Sequence, residues 1–413
     1  YGTVIVDWYD MRALHSSYKK ATATRRGRII ALSIILVIVL AIAGAYIYWN
    51  INRKQIIGQE LEKLISNKSE GLYALQYDSL TLDEVGGDLS LSGIKLAFDS
   101  NKYSSLLSKS EAPPIVVKIT IPSISVTGVQ TKRALLDKEI VGKKLTILEP
   151  DIEIIYTGEG KDSARYVPTA DVYRQILGKL DLIKIDTLEI KRAQITTRNL
   201  KSGKKKASFE NTHIRLVNIT IDEKKASHPG RALFSEQAFL ECSKITFPSG
   251  DRPYNFSIDS ISLNSLAKTG SIKKFRIIPL LNEEAFVRRL PAQDDRFDFT
   301  FSGLQIKDID IHQLFNEKFI ADSVLVQSAM FKIYRDLAIP RDKENRVGKY
   351  PHQLLDRLPL TTQVRKLVVA DAFVEYKERS HITRQTGRVQ FHKLTATLTN
   401  VTNDKEVVKE NNV

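Results

Sequence analysis

From Tyr73 onward apolar and polar residues alternate with a period of two, the pattern of half-buried β-strands. It predicts strands at Tyr73–Leu82, Asp88–Phe98, Ile115–Val129, Lys144–Tyr156, Leu182–Thr197, His213–Asp222, Ala238–Phe247, Tyr254–Leu263, Ser271–Pro279, Arg296–Ile311, Ser323–Tyr334, Val364–Tyr376 and Arg388–Thr402. Gly, Pro, Asn and Lys punctuate the turns. Short helices are predicted at Lys132–Glu139, Pro168–Leu180, His312–Ile320 and Tyr350–Leu358. Ile57, Leu61, Leu64 and Ile65 recur at helical spacing and predict another over Gln55–Ser66.

Within the strands the alternation is interrupted by a skip of two residues and then resumes. Ile119-Ile121 is followed by Ile124-Val126, Leu188-Ile190 by Ala193-Ile195, and Phe299-Phe301 by Leu304-Ile306. A one-residue slip turns every side chain to the other face, so the skip keeps one face apolar only if the strand bulges or bends there. Many strands bent alike, with short helices between them, make a mainly β fold: an elongated, curved antiparallel sheet. Its apolar lining is predicted to include Ile119, Ile121, Ile124 and Val126, with Phe299, Phe301, Leu304 and Ile306 as their equivalents. That equivalence comes from an internal repeat. Asp78-Ser-Leu-Thr-Leu82 returns as Asp259-Ser-Ile-Ser-Leu263, and Asn218-Ile-Thr220 as Asn400-Val-Thr402. The offset stays near ~180 residues along the whole body, the mark of a large unit used twice.

Ahead of the β-patterned body lies a different pattern. Ile29–Trp49 carries no charge, and as a helix it would rise roughly 32 Å, the thickness of a bilayer core. Its Ile, Leu and Val residues favour insertion by roughly 4–7 kcal/mol. Tyr46, Tyr48 and Trp49 supply an aromatic belt at one end. Arg12, Lys19, Lys20, Arg25, Arg26 and Arg28 precede it, against Arg53 and Lys54 close behind, which predicts a cytoplasmic N-terminus and an exported body. A cleaved signal peptide is the rival reading, because Ala41-Ile42-Ala43 fits a small-residue cleavage site. The expected organisation is a basic tail over 1–28, a transmembrane helix over 29–50, a first β-repeat over 51–230 and a second over 231–413. Met11 is the expected start, and the second repeat is expected to continue into more chain.

Composition narrows the function classes. The net charge is +14 in 413 residues, concentrated before the body and otherwise dispersed. The basic run Lys201–Lys206 has no interleaved aromatics, so no nucleic-acid surface is expected. A single cysteine, Cys242, leaves no internal disulfide and no cysteine metal site, and reads as a small core residue. The histidines show neither H-x-H nor H-E-x-x-H spacing, so no metal is expected. Gly158-Glu-Gly160-Lys161 lacks the earlier glycine and the hydroxyl residue of a phosphate loop. The acid pairs Asp151/Glu153 and Asp308/Asp310 sit two apart on strands, hence on a solvent face. No enzyme and no cofactor is expected. Asn67, Asn218, Asn255 and Asn400 begin N-x-S/T triplets, which do not establish glycosylation.

The order of basic tail, anchor, short helix ending before Gly71, D-S-L-T-L, L-S-L-S-G-I-K-L, then I-x-I-x-x-I-x-V and L-E-P-D-I-E-I resembles the AsmA-like envelope proteins of Gram-negative bacteria. These are relatives of TamB and of the bridge-like lipid-transfer proteins, and the composition is similar to the Bacteroidetes versions. The resemblance covers about residues 12–404 and rests on arrangement rather than an invariant motif. It implies an inner-membrane anchor, a periplasmic β-groove lined by apolar residues, phospholipid acyl chains as ligands, and a role in lipid movement or outer-membrane homeostasis. Two readings of the apolar face stay open: an open trough for lipid, or the packed core of a non-catalytic scaffold or adhesion protein.

Overall fold

A computed structural model describes residues 65–67, 69–83, 86–109, 111–130, 139–157, 181–200, 202–203, 205–222, 234–249, 253–315, 318–340 and 361–404. The expected anchor over Ile29–Trp49 lies outside them, as do the predicted helices at Pro168–Leu180 and Tyr350–Leu358, nearly all of Lys132–Glu139 and most of Gln55–Ser66. Among the described residues no helix is long and apolar enough to cross a membrane. The described chain is mainly β, and it divides into two compact units between Ser243 and Lys244.

The first unit holds β1 (Tyr73–Gln76), β2 (Ser79–Asp83), β3 (Asp88–Phe98), β4 (Ile115–Thr127), β5 (Glu139–Leu148), β6 (Asp151–Tyr156), β7 (Leu182–Asn199) and β8 (Lys205–Asp222). The division falls inside β9 (Gln237–Pro248). The second unit holds β10 (Tyr254–Asn264), β11 (Thr269–Pro279), β12 (Arg296–Lys307), β13 (Lys318–Asp336), β14 (Thr361–Arg379) and β15 (Thr386–Thr402). Three short helices are described: α1 (Ser100–Ser108), α2 (Glu283–Val287) and α3 (Ile311–Phe315).

The expected antiparallel sheet is in fact mixed. In the first unit β1 and β2 pair antiparallel with β3, β3 with β4, and β4 with both β5 and β6. β5 and β6 then pair parallel with β7, and β7 returns antiparallel to β8. The second unit repeats this sequence of directions. β10 to β13 are antiparallel in turn, β13 and β14 are parallel, and β15 closes antiparallel on β14. β10 stands where β1 and β2 stand, and β13 where β5 and β6 stand. Pro150, with no N–H to give a ladder, separates β5 from β6. The repeat read from spacing is therefore also a repeat of topology.

The skips are bends set by left-handed residues. Gly93 (φ 62°), Arg192 (φ 54°), Ser260 (φ 51°), Gly303 (φ 63°), Asp371 (φ 46°) and Lys393 (φ 54°) each occupy the second position of a skip. At Gly93, Ser260 and Gly303 the register is unchanged. Ser92 faces Ser123 and Ile94 faces Ile121, so Gly93 and Pro122 lie at one level. Ser260, Lys273 and Gly303 line up likewise in β10, β11 and β12. Neighbouring strands bend together rather than one gaining a residue. True register shifts are found in the β7–β8 pair, near Ala193, and in the β14–β15 pair, near Ala372.

At one end of each unit a helix covers the sheet. Asp99 caps α1, accepting from the N–H groups of Asn101 at 2.7 Å and Lys102 at 3.0 Å. Tyr103 of α1 joins Leu72, Ala112, Val116 and Ile155 in a small buried cluster. The counterpart in the second unit is Phe286 of α2, edge-on to Tyr254 at 6.0 Å. α3 occupies only the first part of the predicted helix at His312–Ile320, because Ile320 already belongs to β13.

Candidate apolar binding face

Alternation and register together place the apolar side chains in rows across the strands. In the first unit Ile119 lies between Leu96 and Ile152, and Ile121 pairs with Ile94. Ile124 lies between Leu91 and Ile147, and Val126 between Leu89 and Leu145. These rows are aliphatic and closed. Ile119 is 1% exposed, Ile121 and Ile124 0%, and Val126 6%. Leu91, Ile94, Leu145, Ile147 and Ile154 are equally buried.

The matching rows of the second unit have a different character. Phe299 lies between Ile277 and Phe331, and Phe301 between Phe275 and Ala329. Leu304 lies between Ile272 and Val326, and Ile306 between Gly270 and Val324. Phe299, Phe301 and Leu304 are only half-buried, and Ile306 alone of the four is buried. The phenylalanines form a continuous row. Phe247 stacks on Phe256 at 4.9 Å, Phe256 on Phe275 at 6.4 Å, and Phe275 on Phe301 at 5.8 Å. Phe331 closes it edge-on, 5.3 Å from Phe301 and 5.2 Å from Phe299. Offset and edge-on geometries of this kind add about 0.5–1.5 kcal/mol per pair beyond the area they bury. Phe247, Phe256, Phe275 and Phe331 were not among the residues predicted to line the face. Each sits in a predicted strand, but only the strand register brings them into one row.

The opposite face is polar and cross-linked by charge. Arg276 reaches Asp259 at 2.9 Å, Arg365 reaches Asp322 at 2.9 Å, and Lys144 reaches Glu189 at 2.9 Å. The hydrogen bond from Arg365 holds the Asp322 carboxyl below its usual range, and that from Lys144 does the same for Glu189. Burial and the bond it donates to Glu378 push the Tyr376 phenol up to about 12. Cys242 is buried, where it meets the Thr212 hydroxyl at 3.3 Å. Among the described residues no group of His, Cys, Asp and Glu is placed to hold a metal ion. A continuous apolar row of this kind offers a contact surface for hydrocarbon.

No protein-family model matches the chain, and no curated protein does. Two solved structures align weakly. The crystal structure of the sex pheromone staph-cAM373 precursor shares 10% identity, with 84% of this chain and 93% of that one covered, at a TM-score of 0.13. A sex pheromone precursor from Lactobacillus salivarius subsp. salivarius UCC118 shares 10% identity, with 83% and 86% covered, also at 0.13.

Proposed function

We propose that strands β10 to β15 present a lipid-contacting surface, and that the chain is a non-catalytic, membrane-anchored envelope protein moving phospholipid between membranes or maintaining the outer membrane. The observation that carries this reading is the row Phe256–Phe275–Phe301–Phe331, apolar throughout and half-open to solvent. Each acyl methylene removed from water is stabilised by about 0.8 kcal/mol, so a continuous apolar row suffices to hold a chain without polar anchors. The anchor is Ile29–Trp49, with the N-terminus in the cytoplasm of a bacterial inner membrane and the body in the periplasm. The resemblance to AsmA-like proteins supports the same reading.

A scaffold with a packed core is the second reading. The observation favouring it is the closed first unit, where the four predicted lining residues are at most 6% exposed. Mass spectrometry of the detergent-purified protein separates the two. Phospholipid at near-stoichiometric amounts that falls on Phe301→Asp supports the lipid face. A protein that purifies free of lipid, with Phe301→Asp indistinguishable from the parent, leaves the scaffold.

A further inference from the structure

We infer that the apolar face of β12 to β14 ends in a site for a zwitterionic phospholipid headgroup, a phosphate joined to an ammonium group. The inference rests on the lipid reading above and names which lipids that face takes.

Along three neighbouring strands the apolar residues run into a row of charge. Phe331, Ile333 and Arg335 share one face of β13, and Val374, Tyr376 and Glu378 share one face of β14. Phe331 pairs with Val374, Ile333 with Tyr376, and Arg335 with Glu378. Phe299 and Phe297 of β12 pair with Phe331 and Ile333, and Asp295 comes next, just ahead of the strand. The Arg335 Nε donates to Asp295 at 2.6 Å, and its Nη2 donates to the other carboxylate oxygen. The Tyr376 hydroxyl donates to Glu378 at 2.9 Å. Arg335 Nη1 and the second Glu378 oxygen have no partner among the described residues. The Arg335 and Asp295 side chains keep 21% and 22% of their surface, so the row is partly desolvated yet reachable.

The first unit has no such row. Ile115, Tyr156 and Asn199 hold the places of Asp295, Arg335 and Glu378 and pair across the same three strands. Their row carries no charge, and Ile115 and Tyr156 are only 8% and 7% exposed. Charge ends the face that is half-open and not the one that is closed.

A guanidinium set between two carboxylates suits a dipolar ligand. The spare N–H groups of Arg335 fit a phosphate oxygen. Glu378, with the Tyr376 and Phe297 rings one row inward, fits an ammonium group. Neighbouring strands lie about 4.8 Å apart, the scale of the two-carbon link between phosphate and amine in an ethanolamine or choline head. Two acids and one base leave the row at −1, which disfavours a head of net negative charge such as phosphoglycerol. The acyl chains then lie along the strands over Phe297, Phe299 and Phe301.

The test incubates the detergent-purified full-length protein with vesicles of equal phosphatidylethanolamine and phosphatidylglycerol, re-isolates it, and measures the retained lipid by headgroup. The inference expects ethanolamine lipid in excess of its vesicle share. In Glu378→Gln, which keeps an acceptor for Tyr376, that preference should fall roughly threefold, the scale of one partly exposed ion pair, with total lipid unchanged. Asp322→Asn, on the polar face, should leave the preference as it is, and Phe301→Asp should lose both lipids together. Retained lipid that matches the vesicles in the parent and in Glu378→Gln alike overturns the inference and leaves the lipid reading standing. A parent that retains no lipid overturns both. Free phosphoethanolamine that displaces the bound lipid would assign the row to a soluble metabolite and overturns the headgroup as its occupant. Should Glu378→Gln fail to accumulate, the parent's own preference, which needs no variant, decides.

Discussion

The Tyr73 hydroxyl accepts a hydrogen bond from the backbone N–H of Val117 at 3.2 Å, tying the first strand of the unit to its fourth. Tyr254 does the same for Phe297 at 3.0 Å. The pair is part of the repeat, and it gives an amide at the start of β4 or β12 a side-chain acceptor. Tyr73→Phe or Tyr254→Phe is expected to cost about 1–3 kcal/mol, the penalty for leaving a partly buried donor unmade. Urea unfolding of each variant measures it. A loss below a few tenths of a kcal/mol would mean water replaces the phenol.

Alkaline stability follows from the same chemistry. Burial raises the Tyr73 phenol, and burial with the Glu378 bond raises Tyr376 to about 12. Both raised groups hold their protons longer when folded than when unfolded. The stability they contribute is complete below about pH 10, the unfolded value, and is lost as pH rises through the folded values. Unfolding midpoints should therefore drop above pH 10, and the drop should shrink in Tyr376→Phe.

Of the glycine bends Gly93 and Gly303, Gly93 is the less able to accept a side chain. A Cβ there would lie 1.9 Å from the Asp78 carboxylate, and the backbone is left-handed besides. At Gly303 the obstacle is the carboxamide of Gln327 at 2.2 Å; both obstructing side chains are exposed, but glutamine has one more rotatable bond than aspartate with which to move aside. Gly93→Ala should cost more than Gly303→Ala, each starting from about 1 kcal/mol for the backbone alone. Thermal melts of the two variants, with Asp78→Ala as partial rescue of the first, check the order.

Charge placed on the apolar face should separate the units. Ile124→Asp buries a carboxylate among Leu91 and Ile147, all 0% exposed, and is expected to prevent accumulation of folded protein. Phe301→Asp enters a half-open row and should accumulate at near-parent levels with lipid lost. Pulse-chase and co-purified lipid are the readouts. Loss of folded protein in both variants would mean that the second unit is packed as tightly as the first.

The strands were legible because one face of each is apolar, which imprints a period of two and makes each skip visible. Arg192 and Gly303 stand at the second position of predicted skips. The parallel pairing of β5 and β6 with β7 was not read, although a crossover-sized insertion separates Tyr156 from Leu182. α1 was missed because S-N-K-Y-S-S-L-L-S carries little apolar periodicity and owes its start to the Asp99 cap. The phenylalanine row depends on register across five strands, which no single strand's sequence records. Exposure was invisible for the same reason: Ile124 and Phe301 carry the same pattern, yet one is sealed and the other half-open.

The parallel seam sets the order in which each unit forms. Hairpins such as β10–β11 close across a few residues, whereas β13 meets β14 only after residues 337–360 have been crossed. Loop closure must be completed before such a distant pairing returns any stabilisation, so parallel pairing is intrinsically slow. Synthesis delivers β10 to β13 first, and they wait as a meander with one uncovered edge until β14 arrives. During that interval the nascent unit is at its most vulnerable to aggregation, and its refolding rate is governed by one crossover in each unit rather than by the number of strands.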